Sequence, residues 1–301
     1  MPMPDSVLTF AIPYYRGDNY IGRAIASVLT QRDARWRLLV CDGGEERPGP
    51  PRGLPDGYRD DRIRYIPPAG KPGMAENWNR CLRAAETDLV TLLHEDDELE
   101  PDYAGRMIAA AAAHPGATLL FCNASIIGPK GEPLFSFPDY VKRFFRPARG
   151  LTILRGEVGL RAIMRGNFIM CPTMCFRRSH LAGRAFDPQW RQVLDLDLTA
   201  RLLLDGDTLV GIPESLYRYR RHEENATAAQ TKNLLRFREE WALFRDVARR
   251  ARARGWDRAA AAAASVGIVK LNLLYCAFND LLASRGRGAV QKLRLLAEIA
   301  D

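Results

Sequence analysis

The sequence has few cysteines, and their spacing excludes two classes of small scaffold. Six cysteines are spread over 301 residues without a CxxC pair. This pattern excludes a disulfide framework and a paired zinc knuckle, so we expect reduced, buried thiols. The sequence also has no fixed-period repeat. The two alanine runs, at 109–113 and 259–264, are typical of helices.

Long apolar runs are also missing. The longest stretch of low polarity, Ala259–Val269, stops at Lys270 and is shorter than the roughly 20 residues that a membrane-spanning helix needs. The first residues carry no basic flank before an apolar segment, so we expect no signal peptide. The expected location is the cytoplasm, with peripheral contact at the inner face of the cytoplasmic membrane left open.

Charge is unevenly distributed along the chain. The chain is 47% hydrophobic and 27% charged, which excludes disorder and allows a real core. Residues 1–140 carry 15 basic and 20 acidic side chains, whereas residues 141–301 carry 29 and 16. This asymmetry favours a carboxylate metal site that faces an anionic substrate or surface. No helix-turn-helix, RNP or zinc signature accompanies the basic half, so nucleic acid is not an expected partner.

The first half alternates apolar runs with helical patterns, which predicts βαβ units and an α/β fold with a mainly parallel sheet. The predicted strands are Val7–Ile12, Arg37–Cys41, Arg62–Ile66, Leu89–Leu93 and Thr118–Cys122. The predicted helices are Asn19–Gln31, Gly73–Ala85 and Pro101–His114. Ligands bind beyond the carboxyl ends of such strands, where Asp42 and Asp96 lie.

The second half is less regular. It predicts a loop over Gly128–Gly150, helices over Glu157–Arg165 and from Asp195 to Leu204, and a short strand at Leu209–Gly211. Two further helices are predicted over Asn233–Arg254 and Arg258–Ala283. A soft boundary near residue 230 divides a catalytic domain (1–230, with halves 1–125 and 126–230) from a helical extension (231–301).

Four features are candidates for chemistry. The run HEDDE at 94–98 is costly beside a buried strand unless a cation binds there, although it could also cap the following helix. Asp42 could contact a nucleotide or form a turn. Asp195 could be a general base or an N-cap, and the run YRYRRH at 217–222 could bind phosphates or form an exposed basic strand.

Together these segments resemble the family 2 glycosyltransferases, which have a GT-A fold, over roughly Ser6–Thr227. The motifs that carry the resemblance are FAIPYYRGDNYIGRAIASVLTQ, RLLVCDGG, GKPGMAENWNRCLRAAETDLVTLLHEDDELEPD, NFIMCPTMCFRRSHL, AFDPQWRQVLDLDLTARLL and SLYRYRRHEENAT. Two positions depart from the family pattern. His94 stands for the first Asp of LDxDD, and Leu194 stands for the Glu before the base.

The resemblance implies an inverting sugar transfer from a nucleotide-diphosphate sugar, most often a UDP-sugar, to an acceptor hydroxyl, with Mn²⁺ or Mg²⁺ as cofactor. Asp195 falls on the position of the general base. The implied donor-binding residues are Pro13, Tyr15, Asp42, Asn77, Arg80, Glu95, Asp96 and Arg220, and the implied metal-binding residues are Asp96, Asp97, His222 and His94. The acceptor is a glycan, a lipid-linked molecule or a small molecule.

The alternative from another class is an inactive, transferase-like scaffold at a membrane or polysaccharide assembly. The C-terminal helices bear two clusters of basic residues: Arg249, Arg250, Arg252 and Arg254, then Arg285, Arg287, Lys292 and Arg294. These helices could contact anionic lipid, pack on the catalytic domain or join a second subunit in a homo-oligomer.

Overall fold

A computed structural model of the protein describes residues 7–15, 19–44, 60–70, 72–147, 150–222 and 234–300. In its first half, all the predicted strands and helices are present. The elements are β1 Leu8–Tyr14, α1 Ile21–Leu29, β2 Trp36–Asp42, β3 Ile63–Ile66, α2 Met74–Ala84, β4 Leu89–Leu92, β5 Glu98–Leu99, α3 Tyr103–Ala113 and β6 Ala117–Ile127.

The second half completes the sheet and adds a group of helices. Its elements are α4 Phe137–Phe145, β7 Thr152–Arg155, α5 Gly156–Arg165, a short 3-10 helix Cys171–Thr173, β8 Cys175–Arg177, α6 Arg178–Leu181, α7 Leu194–Leu204, β9 Thr208–Arg220, α8 Leu235–Ala253, α9 Asp257–Ser265, α10 Gly267–Leu282 and α11 Gly286–Ala300. The predicted boundary near residue 230 lies outside the described residues.

The strands form one mixed sheet in the order β3-β2-β1-β4-β8-β6-β9-β5, with β7 paired to β9. Strands β3, β2, β1 and β4 are parallel, as predicted. Strand β8 is antiparallel to both β4 and β6, whereas β6 and β9 are parallel. The carboxyl ends of β1, β2 and β4 therefore lie at one edge of the sheet, which is where ligands bind in such folds.

Strand β1 is buried on both faces, and its side chains alternate between two cores. Phe10 and Ile12 pack on one side of the sheet with α1 and α3, whereas Ala11 packs on the other side with α2. Because the side-chain period of a strand is two residues, one apolar run can supply both cores. The short run VLTFAI thus contributes to both cores.

Three predictions for the second half need correction. The stretch predicted as a loop at 128–150 contains α4, whose first turn accommodates Pro138 because an N-terminal proline needs no amide donor. The short strand predicted at Leu209 extends to Arg220 as β9. Its pairing with β6 shifts register around Pro213, which cannot donate to a ladder and so concealed the strand in the sequence.

The third correction concerns the C-terminal helices. The helix predicted over Arg258–Ala283 is two helices, because Val266 between α9 and α10 has a left-handed backbone with φ of 47°. The helix α11 was not predicted. The segment Asp257–Leu282 is long and apolar enough to cross a membrane by length and composition alone, with 28% of its most apolar window buried. Its first part, α9, contributes Ala259, Ala260 and Ala263 to the core.

Gly211 in β9 has no room for a side chain, because a Cβ atom there would lie 2.3 Å from the ring of Phe121. We expect Gly211→Ala to lower the free energy of unfolding by about 1–3 kcal/mol, since overpacking a filled core forces neighbouring groups to shift. Urea denaturation measures the difference. Gly116→Ala is the matched control, because nothing lies within 4 Å of its Cβ position. Equal stability of the two variants would contradict the packing argument.

Candidate functional site

The candidate site begins where β1 and β2 end side by side. Tyr14 pairs with Asp42 in the sheet, and the N–H of Gly43 donates to the carbonyl of Tyr14 at 2.8 Å. Asp42 is fully buried. Its Oδ1 accepts from the N–H of Gly44 at 2.8 Å, and its Oδ2 accepts from the hydroxyl of Tyr65 at 2.8 Å. Both carboxylate oxygens are therefore held in place at the end of β2.

Helix α2 holds the ends of these strands together. Nδ2 of Asn77 lies 3.3 Å from the carbonyls of both Tyr14 and Cys41. Arg80 donates to the carbonyl of Asp42 at 2.9 Å and to that of Pro67 at 2.5 Å. Asn77 and Arg80 therefore support the walls of the predicted nucleotide pocket. Oδ1 of Asn77 is buried and has no hydrogen-bond partner in the described part of the chain.

The loop after β4 crosses the end of β1. Pro13 is buried within β1, and the N–H of Tyr15, just beyond this strand, donates to Oε2 of Glu95 at 2.6 Å. Tyr15 is 52% exposed. These contacts bring Pro13, Tyr15, Asp42, Asn77, Arg80 and Glu95 to one edge of the sheet, as the sequence predicted, while their roles in donor binding stay predictions.

Three side chains of the HEDDE run could hold a metal ion. Ligand atoms of His94, Asp96 and Asp97 all lie within 4.8 Å of one another. Nε2 of His222 lies 2.9 Å from Oδ2 of Asp96, so β9 brings the predicted fourth member to the group. Burial lowers the pKa of His94, which favours the neutral imidazole that can bind a metal.

Both carboxylate oxygens of Asp97 accept hydrogen bonds from residues of β9. Oδ1 accepts from the N–H of Arg220 at 2.7 Å, and Oδ2 accepts from the hydroxyl of Tyr217 at 3.0 Å. Burial raises the pKa of Asp97 well above its usual range, and the neighbouring charge of Asp96 adds to the shift. The same Tyr217 hydroxyl accepts from the N–H of His94 at 3.3 Å, so it fixes the loop at two points.

Arg220 is also fully buried, and its side chain contacts the HEDDE run at 94–98, which we call the acidic loop. Its Nε donates to the carbonyl of Asp96 at 2.7 Å, and its Nη2 pairs with Glu98. Its Nη1 donates to the carbonyls of Gly128 and Pro129 at 3.0 and 3.1 Å. These contacts give Arg220 a structural role in the described molecule, and its predicted contact with the donor stays a prediction.

Asp195 lies in the first turn of α7 and is partly exposed. Burial raises the pKa of the Cys171 thiol, and the charges of Asp195 and Asp97 add to that shift. The role of Asp195 as general base stays a prediction.

The loop before Asp195 is held by a residue that the sequence analysis missed. Glu239 of α8 is buried, and its carboxylate accepts from the backbone N–H groups of Arg191 (3.1 Å), Gln192 (2.8 Å) and Val193 (3.4 Å). No local motif marks it, because its partners lie more than 40 residues away. Tyr65 was also missed, and Tyr217 was considered only as part of the run at 217–222. Both occupy strand positions where an aromatic residue is common.

A family model described as glycosyl transferase family 2 matches residues 9–182, more than half of the chain. The chain belongs to the family 2 glycosyltransferases. It is therefore an enzyme of the class that the sequence predicted.

Curated relatives of this glycosyltransferase come from bacteria. TuaG of Bacillus subtilis, named for teichuronic acid biosynthesis, is 24% identical over 253 residues, which are 81% of this chain and 88% of TuaG. WfgD of Escherichia coli, a UDP-Glc:alpha-D-GlcNAc-diphosphoundecaprenol beta-1,3-glucosyltransferase, is 30% identical over 95 residues, which are 32% of this chain and 37% of WfgD. ExoO of Rhizobium meliloti, a succinoglycan biosynthesis protein, is 29% identical over 139 residues, 46% of this chain and 38% of ExoO.

Solved structures of S. aureus TarS share the fold. Residues 1–349 of TarS in complex with UDP-GlcNAc superpose with a TM-score of 0.62 at 14% identity, covering 97% of this chain and 90% of that one. The longer TarS chain gives a TM-score of 0.56 at 14% identity, covering 80% of this chain and 39% of that one. The predicted GT-A fold is thus confirmed.

The buried contacts of Asp97 lead to a prediction about stability. Asp97→Ala leaves the N–H of Arg220 without its acceptor, so we expect a loss of about 3 kcal/mol in the free energy of unfolding. Asp97→Asn keeps an acceptor and the size of the side chain, and should cost less than half as much. Urea denaturation compares the two. An Asp97→Asn variant as unstable as Asp97→Ala would contradict the hydrogen-bonding role.

Glu239 leads to a second prediction, because it supports the loop next to Asp195. We expect Glu239→Ala to lower the free energy of unfolding by about 1–3 kcal/mol, since three N–H groups lose their acceptor. It should also reduce kcat, because the geometry of α7 loosens, while Glu239→Gln recovers part of both losses. The control is Glu298→Ala, which removes an exposed pair 3.8 Å from Arg238. Equal effects of Glu239→Ala and Glu298→Ala would refute the supporting role.

Proposed function

We propose that this glycosyltransferase moves a sugar from a UDP-sugar to an acceptor hydroxyl with inversion at C1, in the biosynthesis of a bacterial polysaccharide or glycoconjugate. The observation that carries the proposal is that the buried Asp42 and the Asp96–His222 pair follow strands whose carboxyl ends lie at one edge of the sheet. Asp195 joins them as the proposed base on the resemblance to the family. The names of TuaG, WfgD and ExoO support the biosynthetic setting, and those of WfgD and the TarS complex support a UDP-sugar.

The donor would lie along the ends of β1, β2 and β4. Asp42 would accept a hydrogen bond from the base, since both of its oxygens are oriented by Gly44 and Tyr65. The ring of Tyr15 would cover the nucleotide. Asn77 and Arg80 would keep the pocket open by holding the strand ends through their backbone carbonyls. Because the side chains of Asn77 and Arg80 already have fixed hydrogen-bond partners, the pocket would need little reorganisation when the nucleotide sugar binds.

The residues present fit a divalent cation, Mn²⁺ or Mg²⁺. Asp96 offers a carboxylate, His222 is its hydrogen-bonded neighbour, and Nε2 of His94 is buried without a partner in the described residues. We infer that Asp96, His222 and His94 would hold the ion, whereas Asp97 would orient the loop through its contacts with Arg220 and Tyr217. The bound ion would neutralise charge on the leaving diphosphate.

Asp195 would act on the acceptor. Its carboxylate would accept the proton of the acceptor hydroxyl while that oxygen attacks C1 from the face opposite the diphosphate. A single carboxylate base is sufficient for this one-step displacement, and the displacement inverts the configuration at C1. The hydrogen bonds from the loop at 191–193 to Glu239 would keep this base in position.

Two variants test the assignment. Asp195→Asn should lower kcat by about a thousandfold, because proton transfer is lost. It should keep the rise in melting temperature that UDP and Mn²⁺ produce together, since ligands that bind the folded state stabilise it. Asp96→Ala should lose the part of that rise that depends on the metal. Transfer to a glycan acceptor and thermal shift are the two measurements.

Asp102→Asn is the matched control, because the side chain of Asp102 forms an exposed pair with Arg32 and contacts none of the proposed site residues among those described. It should leave both measurements unchanged. Wild-type turnover in Asp195→Asn would remove Asp195 from the base position. A metal-dependent shift that survives in Asp96→Ala would remove Asp96 from the metal. If UDP produces no shift in the wild-type protein while another nucleoside diphosphate does, the proposed donor is wrong.

A further inference from the structure

The segment that follows β6 exposes four aromatic side chains. Phe135, Phe137, Tyr140 and Phe144 lie on or just before α4 and are between 45% and 73% exposed. Rings of Phe135 and Tyr140 lie 5.8 Å apart, and those of Tyr140 and Phe144 lie 5.4 Å apart. Soluble proteins rarely expose large apolar side chains in contiguous groups unless the group binds something.

Helix α10 exposes a second set of large apolar side chains. Leu271, Leu274, Phe278, Leu281 and Leu282 are between 47% and 70% exposed. Their spacing of three and four residues places them on one side of the helix. The opposite side is buried through Val269, Leu273 and Ala277. Helix α10 is thus apolar on both sides, and only one of these sides packs against other described residues.

The two sets form one continuous surface, which we call the apolar face. The ring of Phe137 on α4 lies 5.8 Å from that of Tyr275 on α10. Tyr275 is three residues from Phe278 and four from Leu271, so it borders the exposed stripe. The apolar face therefore consists of the four aromatic residues of the α4 segment, Tyr275 and the five exposed residues of α10.

The charges beside the apolar face are positive. Asp280, the acidic residue of α10, is already paired with Lys292 at 2.5 Å and Arg285 at 3.1 Å. The side chains of Lys270 on α10 and of the exposed Arg287 and Arg294 on α11 form no ion pair or hydrogen bond with any described residue. A partner that covers the apolar face would therefore meet an excess of positive charge.

We propose that the apolar face docks on an anionic lipid surface. A helix with exposed leucine and phenylalanine on one side and basic residues beside it is typical of segments that lie in the membrane interface. Anionic head groups complement the cations of α10 and α11. In a symmetric pair of two copies, both partners would bring positive charge to the contact, where like charges repel.

The length and packing of the helices favour lying on the membrane over crossing it. Helix α9 packs in the core and is separated from α10 by the break at Val266. Within the segment 257–282, the exposed apolar side therefore belongs to the 16 residues of α10. About 20 residues are needed to span a bilayer. Docking in the interface plane needs no such length.

The apolar face also lies within short reach of the candidate site. Gly128 and Pro129, whose carbonyls accept from Arg220, are followed six residues later by Phe135. Six residues span at most about 20 Å. Docking would therefore hold the acidic loop near the lipid head groups, which suits an acceptor carried on a lipid. The inference itself concerns lipid binding and is independent of the donor and of the base.

Vesicle sedimentation with the full chain and no sugar nucleotide tests the proposal. We expect binding to phosphatidylcholine vesicles that contain phosphatidylglycerol, weaker binding to phosphatidylcholine alone, and weakening by added NaCl. The double variant Leu274→Glu with Phe278→Glu should bind at least about tenfold more weakly, because apolar contact is lost. Arg287→Glu with Arg294→Glu should lose about tenfold or more on the anionic vesicles alone.

Leu29→Glu is the matched control, because Leu29 is 43% exposed at the end of α1, away from the apolar face. It should bind as the wild type does, and circular dichroism should report the same fold for all variants. Absence of binding to the anionic vesicles overturns the proposal, as does an equal loss in Leu29→Glu. If light scattering reports a dimer that the Leu274/Phe278 variant dissociates, and vesicles do not bind, the apolar face joins two copies instead.

Discussion

The site depends on one buried cation. The guanidinium of Arg220 has no exposed surface, and a buried charge is costly unless it is paired and its N–H groups have acceptors. Glu98, the carbonyl of Asp96 and two carbonyls after β6 satisfy these needs, while the backbone N–H of Arg220 donates to Asp97. The acidic loop, the end of β6 and the end of β9 can meet because this side chain lies between them.

The same contact explains the uneven charge of the chain. The acidic run HEDDE and the basic run YRYRRH lie far apart in sequence, and β9 brings them together. Arg218 pairs with Glu98 at 3.0 Å, and His222 contacts Asp96 at 2.9 Å. Part of the positive charge of the second half is therefore neutralised inside the molecule. The cations that have no ion pair in the described residues include Lys270 of α10 and Arg287 and Arg294 of α11.

How much the sequence could predict differed between the halves. In the first half, each strand is a compact apolar run, so its position and the polar residues at its end, Asp42 and Asp96, could be predicted. In the second half, Pro213 interrupts β9. The apolar residues of α4 do recur at helical spacing, but they lie in a stretch rich in proline and glycine that favours a loop. Glu239 could not be predicted as a support for Asp195, because its three partners are backbone groups distant in sequence.

The sequence by itself determined the fold class, the family and the set of acidic and basic residues that carry the chemistry. These follow from local patterns, namely apolar periodicity and short motifs. Only the tertiary structure decided how that set is divided. It commits Asp97 and Arg220 to buried hydrogen bonds, brings His222 to Asp96 and leaves one side of α10 exposed. Burial and pairing are properties of contacts between distant segments, and a linear pattern does not contain them.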